Sequence, residues 1–274
     1  MMAPHPAKGA LGLNDVTAGY GKAAPVIAHL SLAKIEPGMI ATIAGPNGAG
    51  KSTLLRAIAG LIPARGNIML GDDDLVHAHA TKRASLVGFM PPHPSMTTLT
   101  VLEAVIVAYN ATDQAELIAT ANRRAVALLE ALGILHLAMQ AMDRLSTGQR
   151  QIVSLAQTIA CEPRLLLLDE PTSALDLRYQ IEMMNVVRRL ADEGRIVLMV
   201  VHDLSFAARW SDHMVVLQQG RLDSEGPPRD VITPAMLSRV YGISARVETC
   251  SRGTVQLIPD GLAERDSALN QNSV

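Results

Sequence analysis

One glycine-rich stretch, which reads G-P-N-G-A-G-K-S-T from Gly45 to Thr53, limits the folds open to this chain more than any other feature. It satisfies the pattern G-x-x-x-x-G-K-[ST] and lies between an apolar run, Met39–Ala44, and a helical pattern at Ser52–Ile62. Successive backbone N–H groups of such a loop converge at the start of the helix, where the helix dipole also favours negative charge. The order of strand, loop and helix therefore predicts a phosphate-binding loop.

Two side chains of this loop have specific expected roles. Lys51 is predicted to reach the β- and γ-phosphates of a nucleotide, and the Ser52 hydroxyl to bind Mg²⁺. A glycine-rich turn that binds no ligand is the alternative, and the flanking strand and helix patterns argue against it. The predicted nucleotide-binding residues are Gly45, Pro46, Asn47, Gly48, Ala49, Gly50, Lys51, Ser52 and Thr53.

A second motif reads L-L-L-L-D-E-P-T-S-A-L-D and begins at Leu165. Its leucines predict a buried strand that carries Asp169 and Glu170 to its carboxyl end, the edge where open α/β sheets bind ligands. Asp169 is predicted to hold Mg²⁺ through water, and Glu170 to polarise the water that attacks the γ-phosphate. An acidic strand end that caps a helix is the alternative. The apolar run Ile196–Val201 carries His202 to the same kind of position.

Short apolar runs alternate with longer helical patterns, which predicts an α/β fold with a mainly parallel sheet covered by helices. The predicted strands of this sheet are Met39–Ala44, Leu165–Asp169, Ile196–Val201 and His213–Leu217, and the predicted helices are Ser52–Ile62, Asp113–Leu132, Gly148–Cys161, Leu177–Glu193 and Leu204–Ser211. Two further runs, Leu30–Ile35 and Asn67–Leu70, predict an antiparallel addition.

Composition excludes several classes of function. The formal net charge is −2 and aromatic residues make up 3% of the 274 residues, so neither electrostatics nor stacking supports a nucleic-acid partner. No apolar run approaches the ~18 to 20 residues that span a bilayer. Cys161 and Cys250 are too few for a disulfide framework, which predicts a reducing, cytoplasmic compartment.

The run L-S-T-G-Q, which begins at Leu145, is a more specific signal than a phosphate-binding loop. It resembles the signature motif of the ATP-binding-cassette (ABC) ATPases, and with the motifs above the resemblance runs from about Leu13 to Leu222. That family's signature usually reads L-S-G-G-Q, so Thr147 replaces a glycine. The resemblance implies an α/β P-loop NTPase of the ABC-ATPase fold, with a mainly parallel core sheet, an antiparallel β subdomain and a helical subdomain.

The resemblance also implies roles that the residues alone do not. Four signature residues would contact the nucleotide held by a second subunit, which makes each site complete only in a head-to-tail dimer: Ser146, Thr147, Gly148 and Gln149. Ser173 and Asp176 match the D-loop at that interface. His202 matches the switch histidine that senses the γ-phosphate, and Tyr20 matches the aromatic residue that stacks on adenine.

A proline-rich stretch, G-F-M-P-P-H-P-S from Gly88 to Ser95, predicts the end of a strand and a stiff loop. In the ABC family a lid-loop glutamine contacts Mg²⁺ and the attacking water, and its place falls here on Pro92, whose side chain neither donates nor accepts. His93 is the nearby polar candidate, and a solvated histidine without a role is the alternative. Pro92 and Thr147 together predict intact ATP binding with slow hydrolysis.

The resemblance is strongest to subunits that power bacterial importers of iron chelates, haem and cobalamin. A zinc or manganese importer subunit and a non-transport P-loop NTPase are the alternatives. The expected cofactors are ATP and Mg²⁺. The expected partners are a second copy of the chain, a transmembrane permease and, indirectly, a substrate-binding protein, with no nucleic acid. The expected location is the cytoplasmic face of the cell membrane, as a peripheral protein.

The expected domain organisation follows from these motifs and from the polar or small residues at both ends. It comprises a flexible N-terminus at 1–10, an ABC ATPase domain at 11–225 with a helical subdomain at about 95–160, a C-terminal extension at 226–259 and a flexible tail at 260–274. Within the extension, the pattern predicts a short helix, Pro234–Tyr241, and two strands, Ala245–Thr249 and Thr254–Pro259.

Overall fold

A computed structural model describes residues 9–21, 24–94, 96–110 and 118–263 of the protein. Within these residues the strands are β1 Leu11–Ala18, β2 Ile27–Ile35, β3 Ile40–Ala44, β4 Ala64–Leu70, β5 Asp73–Asp74, β6 Val87–Met90, β7 Leu165–Asp169, β8 Ile196–Val200, β9 His213–Gln218, β10 Arg221–Gly226, β11 Ile243–Thr249 and β12 Val255–Leu262. The helices are α1 Lys51–Ile58, α2 Ala80–Leu86, α3 Val101–Tyr109, α4 Ile118–Ala131, α5 Thr147–Ile159, α6 Leu177–Asp192, α7 Leu204–Trp210, α8 Pro228–Val231 and α9 Pro234–Met236.

The described residues form a six-stranded central sheet with the order β10-β9-β3-β8-β7-β6. Its strands are parallel except β10, which is antiparallel to β9 at one edge. Every residue of β3, β7 and β8 is buried, as expected for strands covered on both faces. Val200 is aligned with both Asp169 and Ile43, so the carboxyl ends of these three strands lie at the same edge. The prediction of a mainly parallel core sheet is confirmed.

A second sheet, with the order β2-β1-β4-β5, is antiparallel and contains both runs that the sequence assigned to an antiparallel addition. It also contains β1, which the sequence analysis missed. The alternation of buried and exposed residues in β1 is broken, because Asp15 has a left-handed φ of 52° and the pairing register shifts beside it. Such a bulge hides the two-residue period that identifies a strand.

The predicted helices are present with shifted ends. α1 ends at Ile58 and not at Ile62, because Gly60 takes a left-handed φ of 70° and its N–H bonds to the Ala57 carbonyl. α4 covers part of the predicted helix Asp113–Leu132, and residues 111–117 lie outside the described residues. α2 and α3 were not predicted. Nowhere in the described ranges is a helix both long and apolar enough to cross a membrane.

The C-terminal extension packs onto the main core. α9 continues into a π-helical turn, Leu237–Tyr241, and then into the antiparallel hairpin of β11 and β12. Met236, Leu237 and Val240 belong to the same buried cluster as side chains of β7, β8 and β9. The extension is therefore continuous with the core of the central sheet.

The chain remains ordered further at both ends than the sequence suggested. β12 continues to Leu262, which pairs with Ile243, so the flexible tail predicted from residue 260 starts too early. Asp260 is held there by Arg246 at 3.0 Å. At the other end, the Gly71 N–H donates to the Ala10 carbonyl. Residues 1–8 and 264–274 of the predicted flexible ends lie outside the described residues.

Candidate functional site

The loop between β3 and α1 has a backbone that its glycines make possible. Gly45, Gly48 and Gly50 have positive φ angles of 140°, 79° and 99°. A Cβ on Gly45 would lie 2.2 Å from the Leu217 carbonyl oxygen of the neighbouring strand. A residue with a Cβ would be strained or would clash at these positions. Glycine therefore allows the turn that leaves backbone N–H groups accessible at the start of α1.

Lys51 lies on the first turn of α1 and is only 6% exposed. Its Nζ donates to the Gly45 carbonyl at 2.8 Å and to the Pro46 carbonyl at 2.9 Å, so the side chain folds back over the loop. Burial lowers the pKa of the Lys51 ammonium, and the charges of Glu170 and Asp169 act in the opposite direction. The loop thus holds the partly desolvated Lys51 ammonium against two main-chain carbonyls. The oxygens of an anionic ligand can replace these carbonyls as its hydrogen-bond acceptors.

Asp169, at the carboxyl end of β7, is fully buried. The Ser52 hydroxyl donates to its Oδ1 at 2.9 Å, which joins the phosphate-binding loop to the second motif. Its Oδ2 is buried and has no hydrogen-bond partner among the described residues. Burial raises the pKa of the Asp169 carboxyl, an effect that the Ser52 hydrogen bond opposes and the neighbouring Glu170 charge reinforces.

These two oxygen donors fit Mg²⁺. A hard divalent cation is bound in proteins through one or two carboxylate or hydroxyl oxygens, with water and substrate phosphates supplying the other ligands. The unpartnered Oδ2 of Asp169 and the adjacent Ser52 hydroxyl supply such oxygens. Without a bound cation, burying the charged Asp169 carboxylate with one oxygen unpaired costs free energy.

We expect Asp169→Asn to separate stability from magnesium binding. The variant removes a buried, incompletely paired charge, so its Tm without nucleotide at neutral pH should equal or exceed that of the parent. It should also abolish the effect of Mg²⁺ on ATP affinity, a loss of about tenfold. Calorimetric titration with and without Mg²⁺, beside the exposed control Asp143→Asn, measures this effect. An Mg²⁺ effect that persists in Asp169→Asn would remove Asp169 from the metal site.

Glu170 follows β7 directly and has a left-handed φ of 53°, a strained conformation for a residue with a side chain. Its N–H donates to the Val200 carbonyl at 3.1 Å, and its Oε1 lies 2.7 Å from His202 Nε2. The two side chains border a cavity of about 290 Å³ that Phe206 also lines. The structure therefore brings together a carboxylate and an imidazole from neighbouring strand ends, an arrangement that can hold a water molecule and accept its proton.

Gln151 is a residue of this site that the sequence analysis did not identify. It is 1% exposed on α5, and its Nε2 donates to the Glu170 carbonyl at 3.4 Å. The Ser173 hydroxyl donates to the same carbonyl at 3.2 Å. No signal in the sequence marks this contact, because the burial of the Gln151 amide and its donation to a main-chain carbonyl appear only in the fold.

The signature residues form the N-terminus of α5. Ser146 caps the helix in a capping box: its hydroxyl accepts from the Gln149 N–H, and the Gln149 Oε1 accepts from the Ser146 N–H. Thr147 occupies the first helical position, and a Cβ on Gly148 would lie 3.3 Å from Leu175. No hydrogen bond among the described residues joins these four residues to the phosphate-binding loop.

The two D-loop residues have local roles in this structure. Ser173 turns the chain after Glu170, as its hydroxyl bond to that carbonyl indicates. Asp176 caps α6, because its side chain accepts from the Tyr179 N–H at 3.0 Å. The helix-cap alternative considered for the second motif thus applies to Asp176, while Asp169 and Glu170 lie at the sheet edge.

Tyr20 follows β1 and is 44% exposed. Its hydroxyl accepts a hydrogen bond from Arg56 Nη1 at 3.3 Å, which links it to α1, the helix of the phosphate-binding loop. An exposed ring tethered beside this helix can stack on a planar base. Arg56 was not predicted, because nothing in its sequence surroundings indicates a contact with a residue so distant along the chain.

The lid loop begins where β6 ends at Met90, as predicted. Pro92 is partly buried and His93 is exposed. Within the described residues, no hydrogen bond or ion pair joins His93 to Asp169 or Glu170. The loop borders an apolar groove of about 450 Å³ between β6, α3 and α5, which Pro91, Pro94 and Val107 line.

A phosphate-binding loop beside a buried aspartate, at the carboxyl edge of a mainly parallel sheet, defines a P-loop nucleoside-triphosphatase. The model of one family, described as ABC transporter, matches residues 29–173, more than half of the chain. The chain belongs to this ABC transporter family, and its resemblance to ABC ATPases is confirmed.

Three similar proteins illustrate the relationship. The hemin import ATP-binding protein HmuV of Bordetella bronchiseptica is 42% identical over 236 residues, which cover 82% of this chain and 89% of the relative. The ferric enterobactin transport ATP-binding protein FepC of Escherichia coli K12 is 32% identical and covers 90% of this chain and 93% of its own length. A dimeric ATP-binding cassette in a post-hydrolysis state, bound to ADP and phosphate, has a TM-score of 0.71 at 27% identity and covers 80% of this chain and 99% of its own.

Proposed function

We propose that this protein is the ATP-binding and ATP-hydrolysing subunit of a membrane importer for haem, an iron chelate or cobalamin. The observation that carries the proposal is the meeting of Lys51, Ser52, Asp169, Glu170 and His202 at one sheet edge, in a chain of the ABC transporter family. The names of the hemin and ferric enterobactin relatives support import as the work that hydrolysis drives.

In the proposed reaction, residues of the loop bind the phosphates and the strand ends act on water. The backbone N–H groups at the start of α1 and the Lys51 ammonium hold the β- and γ-phosphates, and Tyr20 stacks on the adenine. Ser52 and Asp169 hold Mg²⁺, which would neutralise phosphate charge when bound. Glu170 orients the attacking water and takes its proton, while His202, already 2.7 Å from Glu170, orients the carboxylate and contacts the γ-phosphate.

A second copy of the chain completes each site in this proposal. The residues Ser146–Gln149 begin a 13-residue helix, whose N-terminus favours an anion, yet they make no hydrogen bond to the loop of their own chain among the described residues. The dimeric cassette with bound ADP and phosphate supports a head-to-tail pair. Ser173 and Asp176 would lie at the contact between the two copies.

We place the permease at the groove beside the lid loop. The groove is largely apolar and lies between the lid loop and the helices α3 and α5, which suits a short helix of a transmembrane partner. The names of the import relatives favour a permease as that occupant. A subunit docked in this way lies on the cytoplasmic face of the membrane as a peripheral protein, and reaches the substrate-binding protein only through the permease.

Transport measurements test this function and separate its alternatives. The protein should be reconstituted in vesicles with a candidate permease, with ATP on the side of this subunit. We expect uptake of haem, a ferric chelate or cobalamin that requires hydrolysis and is lost with Lys51→Ala. Uptake of zinc or manganese instead would favour the alternative importer class, and ATP hydrolysis that no permease or cargo influences would favour a non-transport NTPase.

The lid loop leads to a further prediction, which concerns the rate of ATP hydrolysis. If Pro92 stands where a water-contacting glutamine belongs, Pro92→Gln should raise kcat by about tenfold with little change in ATP affinity, because one polar group is supplied beside the attacking water. If His93 supplies that group, His93→Ala should lower kcat by a similar factor in the parent. Steady-state ATPase assays on the assembled transporter distinguish the two. Unchanged kcat in both variants would exclude the loop from hydrolysis and leave it as a docking surface only.

A further inference from the structure

The carbonyl of Glu170 accepts two side-chain hydrogen bonds, and one of them comes from α5, the helix that begins with the signature residues. Gln151 Nε2 of α5 donates to this carbonyl at 3.4 Å, and the Ser173 hydroxyl donates to it at 3.2 Å. On the other side of the residue, the Glu170 N–H donates to the Val200 carbonyl at 3.1 Å. The main chain of Glu170 is therefore held from β8, from its own loop and from α5.

Glu170 needs such support because its backbone is strained. Its φ of 53° lies in the left-handed region, and a residue with a side chain keeps that conformation only where neighbouring groups fix it. Its carboxylate lies 2.7 Å from His202 Nε2, at the cavity that the two side chains border. A small rotation of the Glu170 peptide would move this carboxylate, and general-base catalysis depends on hydrogen-bond reach to the attacking water.

The Gln151 amide is costly to bury. The side chain is 1% exposed, and its Oε1 is buried with no hydrogen-bond partner among the described residues. An unsatisfied buried acceptor costs free energy of folding, and an apolar side chain of the same shape would avoid that cost. The role of the Gln151 amide therefore lies in what it holds in place and not in the stability of the core.

A second contact joins α5 to the segment that follows Glu170. A Cβ on Gly148 would lie 3.3 Å from the Leu175 side chain, so the start of α5 packs directly on this segment. The Gln180 amide of α6 donates to the Thr172 and Leu175 carbonyls at 3.2 and 3.1 Å. Because the segment is tethered in this way, a shift of α5 reaches the main chain of Glu170 and is not absorbed by the loop.

We propose that Gln151 is a positioning residue for ATP hydrolysis, whose amide holds the Glu170 peptide to α5 and so lets this helix set where the general base lies. This inference rests on the proposed function of Glu170. Gln151 acts through the Glu170 main chain and not on the nucleotide. Since α5 begins with the signature residues, the same amide links the general base of one site to the residues that would contact the nucleotide of the other.

Gln151→Met should lower kcat by about fivefold and leave the KM for ATP unchanged. Methionine fills the same buried space but cannot donate to the Glu170 carbonyl, and the phosphates are still held by the loop before α1. The Tm should equal or exceed that of the parent, because the unpaired Oε1 is removed while Ser173 still donates to the carbonyl. A merely structural role would lower Tm and would not separate kcat from KM in this way.

A kinetic cycle with Glu170→Gln tests whether Gln151 acts through the general base. The Glu170→Gln side chain cannot take a proton, so adding Gln151→Met to it should cause no further loss of the single-turnover rate. Gln157→Met is the matched control, because Gln157 Nε2 also donates from α5 to a main-chain carbonyl, that of Ala104, at 3.2 Å. We expect the parental kcat in this control.

The rates, the KM for ATP and Tm are measured on the full chain in the absence of a permease. A parental kcat in Gln151→Met, or a loss of the same factor with and without Glu170→Gln, would overturn this inference. The proposed function would then still stand on hydrolysis by the parent that Lys51→Ala abolishes. A parent chain that hydrolyses no ATP, in this assay and with a candidate permease, would overturn both.

Discussion

Lys51→Ala should abolish ATP binding and leave the fold intact. The ammonium is the one side-chain charge that the loop itself offers to the phosphates, and charge-assisted contacts of this kind are the strong ones. Losing two of them corresponds to at least ~3 kcal/mol, or more than a hundredfold in affinity. The core should tolerate the change, because alanine favours helices and a partly desolvated cation is removed with the side chain.

The matched control for this variant is Lys34→Ala, which removes an exposed lysine from β2. Calorimetric titration with ATP, together with Tm, should show parental affinity for the control and no measurable binding for Lys51→Ala at an unchanged fold. Equal affinity in Lys51→Ala and the parent would contradict the assignment of the phosphate-binding loop.

Glu170→Gln should lower kcat by a factor of about 10² to 10⁴, the usual contribution of a positioned general base. In the parent, Glu170 Oε1 lies 2.7 Å from His202 Nε2. Glutamine keeps the shape of the side chain and an oxygen that can accept from His202, but it cannot take a proton from water. ATP affinity should stay within a few-fold of the parent, because the phosphates are held by the loop. Single-turnover hydrolysis measures the effect.

Glu182→Gln, in the exposed pair with Arg178 on α6, is the control for the loss of one carboxylate. It should hydrolyse ATP at the parental rate. A Glu170→Gln protein with parental kcat would mean that another group takes the proton, and His202→Ala would then be the variant to measure.

The site was predictable from sequence wherever a motif fixes its own local structure. The loop Gly45–Thr53 specifies a strand, a turn and a helix through neighbouring residues, and the leucines of β7 end at Asp169 because a buried strand must stop at its first charges. Since β3 and β7 are parallel strands of one sheet, their carboxyl ends lie at the same edge, and the contact between Ser52 and Asp169 follows from the topology.

The contacts that sequence reasoning missed join residues far apart in the chain. Arg56 lies 36 residues after Tyr20, and the hydrogen bond between their side chains depends on how α1 lies beside the end of β1. Gln151 lies two residues after the signature run, but only the fold places its amide at the Glu170 carbonyl. Periodicity also failed at β1, where the bulge at Asp15 breaks the alternation, and at the tail, where β12 is extended by pairing with β11.

The central claim, that two copies of the chain complete the ATP sites, is tested most directly by the mass of Glu170→Gln in solution. Light scattering at saturating ATP and Mg²⁺ should give twice the chain mass of 29.2 kDa, and without ATP a single chain mass. The double variant with Lys51→Ala, which cannot hold the nucleotide, should stay at one chain mass under both conditions. A Glu170→Gln protein that binds ATP yet remains at 29.2 kDa, alone and in the presence of the permease, would contradict the shared site.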